Sequence, residues 1–160
     1  MKSLTKSTDA GKRDIALLAW CDPWLVGLAV SGVRRIALSD DVTQIEQAVG
    51  DGPWLGTVDA GSGRLPAWDL GRLLGLSGGG VAWIVIDLPL PAVLRVGRCL
   101  HVVDLSRRAP QALPAVFGGP PGFSCFRADD LTTGIIPAPD FGLLVDPCAL
   151  LAGVTAGAAR

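Results

Sequence analysis

Short apolar runs, each ended by turn residues, are the feature that most constrains how this 160-residue chain can fold. Within 24–30, alternate residues form one large apolar face and one small face, which is the two-residue period of a strand with a close neighbour. The run at 81–86 is apolar throughout and predicts a strand buried on both faces. Because turn signals recur every ~8–12 residues, the chain is predicted to form an all-β barrel or sandwich. The strand-like runs are 14–20, 24–30, 33–38, 54–58, 65–68, 81–86, 93–105, 123–127, 131–136 and 141–145.

Short helices are predicted at three places, two of them between these runs and one after the last run. In the segment LPAWDLGRLLGL, 65–76, Asp69 stands where a helix N-cap belongs and Gly75 where a left-handed residue would end the helix. A second helix is predicted within 40–49, and a third that has Pro147 at its first position.

The turn composition also suggests how the chain is organised. One domain is predicted over 14–152, between a flexible N-terminal tail at 1–13 and a small-residue C-terminal tail at 153–160. The sequence Ser-Gly-Gly-Gly at 77–80 lacks the Gly-Lys-Ser/Thr of a phosphate-binding loop. We therefore predict that 77–80 is a flexible joint between two lobes of similar size.

Charge and hydropathy exclude several classes of partner. The formal net charge is −1, from 14 basic and 15 acidic residues, which gives no electrostatic basis for binding nucleic acid. The apolar stretch 15–33 is interrupted by Asp22-Pro23 and Ser31-Gly32, so we predict no membrane insertion. The N-terminal pattern does not fit a signal peptide, and the predicted location is therefore cytoplasmic.

Residue types that carry catalysis or metal binding are sparse and scattered. No pair among Cys21, Cys99, Cys125 and Cys148 has the CxxC spacing of a zinc or redox site, so reduced core thiols are predicted. Any Ser-His-Asp or Cys-His centre must use His101, the only histidine, which lies in a strand-like run away from a nucleophile elbow. We predict no catalytic residue, no metal site and no cofactor.

The order and spacing of the runs resemble those of CheW-like domains, the adaptor domains of bacterial chemosensory arrays. The segment at 65–76 resembles the family pattern P-hydrophobic-hydrophobic-D-L-x-x-L-L-G-L. The resemblance extends over roughly 14–152, and its other matching pieces are 24–28, 33–36, 54–58, 81–88, 96–105, 143–146 and 150–151.

This resemblance implies a fold and a function. The implied fold is two intertwined five-stranded SH3-like β-barrels with short helices. The implied function is a non-enzymatic adaptor that links the regulatory domain of a CheA-type histidine kinase to chemoreceptors or a related partner. The resemblance names the kinase domain, the cytoplasmic tip of a chemoreceptor and other CheW-like domains as partners.

The same resemblance gives a set of partner-binding residues, some of which depart from the family pattern. The family loop N-L-R-G corresponds to 59–62, so the arginine expected for receptor contact is replaced by Gly61, and Arg64 follows three residues later. The family step that usually carries an acidic residue has Arg34-Arg35 here. The sequence therefore resembles a divergent member of the family. The predicted partner-binding residues are Val33, Arg34, Arg35, Ile36, Trp54, Leu55, Gly61 and Arg64.

Two other functions stay open from the residues alone. Tryptophan is common both in cores and at binding surfaces. A small-ligand-binding sensory β-barrel would use Trp68 and Trp83 as the walls of a pocket. An enzyme would have to use His101, without any of the motifs that usually accompany it.

Overall fold

The computed structural model of the chain describes residues 15–22, 24–61, 63–87, 91–106, 111–112, 123–128 and 140–158. The predicted tail at 1–13 and the predicted strand at 131–136 lie outside these residues. Within them the chain forms twelve strands and two α-helices. The strands are β1 (Ile15–Cys21), β2 (Trp24–Ala29), β3 (Val33–Leu38), β4 (Thr43–Gln47), β5 (Trp54–Asp59), β6 (Arg64–Asp69), β7 (Ala82–Ile86), β8 (Ala92–Val96), β9 (Arg98–Asp104), β10 (Gln111–Ala112), β11 (Phe123–Arg127) and β12 (Phe141–Val145). The helices are α1 (Leu70–Leu73) and α2 (Pro147–Ala158).

The predicted all-β class is confirmed, with a difference in strand number. The strands form two six-stranded sheets, in the orders β3-β7-β8-β6-β5-β4 and β10-β11-β12-β2-β1-β9. Each sheet thus has one strand more than the five-stranded barrel that was expected. Neither sheet is closed into a barrel by hydrogen bonds between its two end strands in the part of the chain described.

The chain divides into two compact units that are interleaved in sequence. Unit 2 comprises 19–23 and 32–99, and unit 1 comprises the residues before, between and after these segments. The predicted joint at 77–80 is therefore wrong as a boundary, since it lies inside unit 2. A run of glycines can occur because the segment is flexible, or because its residues need positive φ angles and close contacts. The sequence alone does not distinguish these two reasons.

Unit 2 is built around the sheet that begins with β3. All five residues of β7 are buried, as the apolar run predicted. β6 and β8 pair in parallel, and their register places Asp69 opposite Arg95. Inward-facing residues of β3, β5, β6, β7 and β8 share one core, so the sheet is strongly curled. Its buried members are Ala37, Val58, Ala60, Ala67, Trp83, Val85 and Val93.

Unit 1 contains a close approach that explains the small face of β2. β2 pairs in parallel with β12, and Gly27 lies opposite Leu144. A Cβ atom at Gly27 would stand 3.1 Å from the ring of Phe126, and one at Gly142 would stand 2.3 Å from the same ring. Phe126 is itself 1% exposed. The two glycines therefore leave the space that this buried aromatic ring occupies.

Two further local predictions are wrong. The helix predicted within 40–49 is a short 3-10 turn at Ser39–Asp41 followed by strand β4. Its valines and threonine are weak helix formers, and pairing with β5 satisfies the backbone instead. The tail predicted at 153–160 begins inside α2, which continues to Ala158 although Gly153, Val154 and Thr155 are weak helix formers.

Candidate functional site

Asp69 lies at the junction of β6 and α1 and is a buried charged residue of unit 2. The Asp69 side chain is 0% exposed. Its Oδ1 atom accepts a hydrogen bond from the Arg72 backbone N–H at 2.9 Å, which is the predicted N-cap. Helix α1 then ends as predicted, since Gly75 has a φ of +81°. Residues that are close together in sequence therefore form this turn from β6 into α1.

The second oxygen of Asp69 binds groups that are distant in sequence. Asp69 Oδ2 accepts from the Gly79 backbone N–H at 2.9 Å and from Arg95 Nε and Nη2 at 3.0 and 2.7 Å. The Arg95 side chain is 21% exposed, so this ion pair is partly shielded from water. The Asp69 carboxylate thus links α1, the loop that contains Gly79, and β8.

The pKa of Asp69 reflects competing effects. Burial acts to raise the pKa, but hydrogen bonds from the backbones of Arg72 and Gly79, together with Arg95, bring it below its ordinary value. Asp69 is therefore ionised at neutral pH. Burial also raises the pKa of the nearby Cys21 thiol, to about 11. This group of residues is suited to maintaining structure, and it fixes the orientation of Arg95.

The glycines at 78–80 allow the backbone to pass close to Asp69. Gly78, Gly79 and Gly80 all have positive φ angles. A Cβ atom at Gly78 would stand 2.8 Å from Asp69 Oδ1, and one at Gly80 would stand 2.0 Å from the carbonyl oxygen of Val96. Only glycine allows the loop to pass this close to the carboxylate and to β8.

The predicted partner-binding residues on β3 lie on an edge strand. Val33 pairs with Ile86 of β7, and a bulge separates Val33 from Arg35. Arg34 is exposed, with its Nη1 atom 3.9 Å from Asp87 Oδ1. Ile36 is 44% exposed and Leu38 is 65% exposed. The outer face of β3 therefore combines apolar and basic side chains.

Arg35 and Gly61 are brought together, although 26 positions separate them in sequence. A Cβ atom at Gly61 would stand 2.7 Å from Arg35 Nη2. Gly61 has a φ of +96°, and its N–H donates to Asp59 Oδ1 at 2.8 Å. Arg64 is exposed at the start of β6, opposite Asp59. A guanidinium group thus lies beside residue 61, and it comes from β3.

The remaining two predicted site residues lie on β5. Trp54 is 40% exposed, and its ring packs edge-to-face on Trp68 with centroids 4.8 Å apart. Leu55 is partly buried against the core of unit 2. In the strand order three strands separate β5 from β3. Whether these residues bind a partner stays a prediction.

Sequence reasoning missed a cavity of about 250 Å³ in unit 2 that Trp54, Arg72, Trp83 and Arg95 line. The pocket predicted at Trp68 and Trp83 shares Trp83 with this cavity, whereas Trp68 is not among the lining residues. The sequence feature that could have indicated this site is Arg95, a charged residue within the otherwise apolar strand β8. A charged side chain in a buried strand needs a partner.

The other chemistry-bearing residues are dispersed. His101 is exposed on β9, as expected for a strand histidine that faces solvent. Over the residues described, no three His, Cys, Asp or Glu side chains gather in a way that could hold a metal ion. None of the helices in the same part of the chain has the length and hydropathy needed to cross a bilayer.

Two six-stranded sheets on interleaved units define a CheW-like fold. Among solved structures, the chain is similar to the scaffolding protein CheW of Thermoanaerobacter tengcongensis, with a TM-score of 0.66 and 16% sequence identity. The likeness covers 86% of this chain and 92% of that chain. No family model matches the sequence, and no curated protein matches it. The chain is therefore a divergent sequence on this fold.

Proposed function

We propose that the chain is a non-enzymatic adaptor in a cytoplasmic chemosensory signalling complex, bound to the regulatory domain of a CheA-type histidine kinase. The fold supports the class, since the similar solved structure is a scaffolding protein. The observation that carries the proposal is the exposed apolar edge of β3. A strand at the edge of a sheet offers unpaired backbone groups to other chains, and on β3 large apolar side chains are exposed beside them.

The proposed binding surface consists of Arg34, Ile36, Leu38 and Val81, and we call it the β3 surface. Ser39 Oγ donates to the carbonyl oxygen of Val81 at 2.8 Å, which keeps Val81 beside the end of β3. Val81 is 62% exposed, so three large apolar side chains face outward here. An apolar strand edge with a basic rim suits a protein partner that adds a strand or packs an apolar patch. Such an interface would bury about 800 Å² per side.

Arg35 extends the proposal to chemoreceptors. The resemblance to CheW-like domains places a receptor-contacting arginine at 61, where this chain has glycine. The Arg35 guanidinium lies where a side chain at 61 would begin, so we propose that Arg35 supplies that positive charge. Arg64 is the alternative source on the same hairpin.

The test is binding of the purified chain to the regulatory domain of a CheA-type kinase from the same cell, measured by biolayer interferometry. Ile36→Asp should weaken binding at least tenfold, because a buried carboxylate without a partner opposes association. Ile45→Asp is the matched control, since Ile45 is 40% exposed on the opposite edge strand, β4. This variant should bind as the unmodified chain does. Absence of binding at micromolar concentration, or equal loss in both variants, would contradict the proposal.

A further inference from the structure

The cavity of about 250 Å³ in unit 2 lies beside the Asp69–Arg95 pair and has no part in the proposed adaptor function. Its wall combines two guanidinium groups, two indole rings and two side-chain amides. These belong to Gln44, Gln47, Trp54, Arg72, Trp83 and Arg95. The Gln44 amide already donates to backbone carbonyl oxygens, including that of Glu46 at 2.8 Å, so the unused donors of interest belong to the arginines. Arginine donors beside flat apolar rings are typical of sites for small organic anions.

Arg95 is held rigidly at this wall. Its Nε and Nη2 atoms donate to Asp69 Oδ2, and its guanidinium carbon lies 5.7 Å from the centroid of the Trp83 ring. Its third nitrogen, Nη1, makes no hydrogen bond with the part of the chain described. The salt bridge and the ring contact fix the Arg95 guanidinium before any ligand binds. A ligand would therefore not have to order this side chain.

Arg72 adds a second cation with unused donors. Its Nη1 atom donates to the carbonyl oxygen of Gly52 at 3.1 Å, while its Nε and Nη2 atoms bond to nothing in the described ranges. Asp51 also lines the cavity, and it is exposed. Asp69 already neutralises Arg95, whereas Arg72 makes no ion pair with the residues described, so the Arg72 guanidinium is the charge that a ligand carboxylate would meet.

Size and aromatic surface define the rest of the ligand. Drug-sized ligands occupy pockets of roughly 300–1,000 Å³, so a cavity of about 250 Å³ suits a smaller molecule. Trp54 is 40% exposed, and its contact with Trp68 presets its ring. We propose that this cavity binds a small organic acid with one carboxylate and a planar apolar body. The carboxylate pairs with Arg72 and Arg95, and the planar body packs on Trp54.

The inference can be tested on the full chain by NMR titration with sodium benzoate at constant ionic strength. The indole N–H resonances of Trp54 and Trp83, assigned through Trp54→Phe and Trp83→Phe, should shift and saturate. Acetate lacks the planar body and inorganic phosphate lacks the carboxylate, so both should bind at least fivefold more weakly than benzoate. Because this comparison uses the unmodified chain, it does not depend on whether any variant folds.

A pair of variants locates the charge. Arg72→Gln should weaken benzoate binding at least fivefold, since it removes one guanidinium from the wall. Arg98→Gln, at an exposed position of β9 that does not line the cavity, should leave the affinity unchanged. The inference is overturned if the benzoate shifts do not saturate, if phosphate binds as tightly as benzoate, or if Arg72→Gln binds benzoate as the unmodified chain does. None of these results bears on kinase binding, which the β3 surface variants test separately.

Discussion

Arg95 donates two hydrogen bonds, of 3.0 and 2.7 Å, to a single oxygen of the fully buried Asp69 carboxylate. The parallel register of β6 and β8 places these two residues opposite each other. Removing one partner of a buried ion pair is far more costly than removing both, because the remaining charge loses its compensation. The stability of unit 2 should therefore depend strongly on Asp69.

Asp69→Asn should lower the free energy of unfolding by about 3 kcal/mol at pH 7, since Arg95 would be left without its carboxylate. The pKa of Asp69 is lower in the folded chain than in the unfolded chain. Its stabilising contribution is therefore complete above the unfolded value, about 4, and is lost as pH falls through the folded value. The stability difference between the unmodified chain and the variant should narrow as pH falls below about 4. Urea unfolding at a series of pH values measures it.

The control for this prediction is Asp40→Asn, in the exposed 3-10 turn after β3. Surface changes of this kind alter stability by less than about 0.5 kcal/mol. A stability difference for Asp69→Asn that stays constant from pH 7 to pH 3 would show that the Asp69 charge is not what stabilises the fold.

Gly97, between β8 and β9, should tolerate no side chain. A Cβ atom there would stand 2.2 Å from the carbonyl oxygen of Trp20, which is backbone and cannot rotate away. Gly97→Ala should therefore cost about 2–3 kcal/mol by overpacking. Gly52→Ala meets no atom within 4 Å and should be neutral or slightly stabilising. Thermal unfolding of the two variants compares them directly, and equal melting temperatures would refute the steric argument.

The parts of this site that the sequence predicts are those formed by neighbouring residues. The N-cap at Asp69 and the left-handed Gly75 depend on positions within one helical turn, and both are confirmed. The buried strand β7 follows from its composition alone. The CheW-like fold could be predicted because several such local patterns occur in the right order.

The remaining features depend on contacts between distant residues. Arg95 meets Asp69 only because two strands that are not consecutive in sequence pair in parallel. The glycines at 78–80 suggested a joint, and their use becomes clear only when the Asp69 carboxylate is in place. Arg35 beside Gly61 likewise requires the curled sheet of unit 2. Periodicity and propensity describe one helix or strand at a time. They therefore could not predict which residues from distant parts of the sequence come into contact.

Cys21, on β1, should be an unusually unreactive thiol. Its side chain is 5% exposed, and burial raises its pKa to about 11. Because the thiolate is the species that reacts, the folded chain should hold about one part in a thousand as thiolate at pH 8. Alkylation by iodoacetamide, followed by peptide mass spectrometry, should be slow and should rise about tenfold per pH unit through pH 10. In urea-unfolded chain the same residue should react quickly and level off above about pH 9. A folded-state rate that also levels off near pH 9 would show that Cys21 titrates as an exposed thiol.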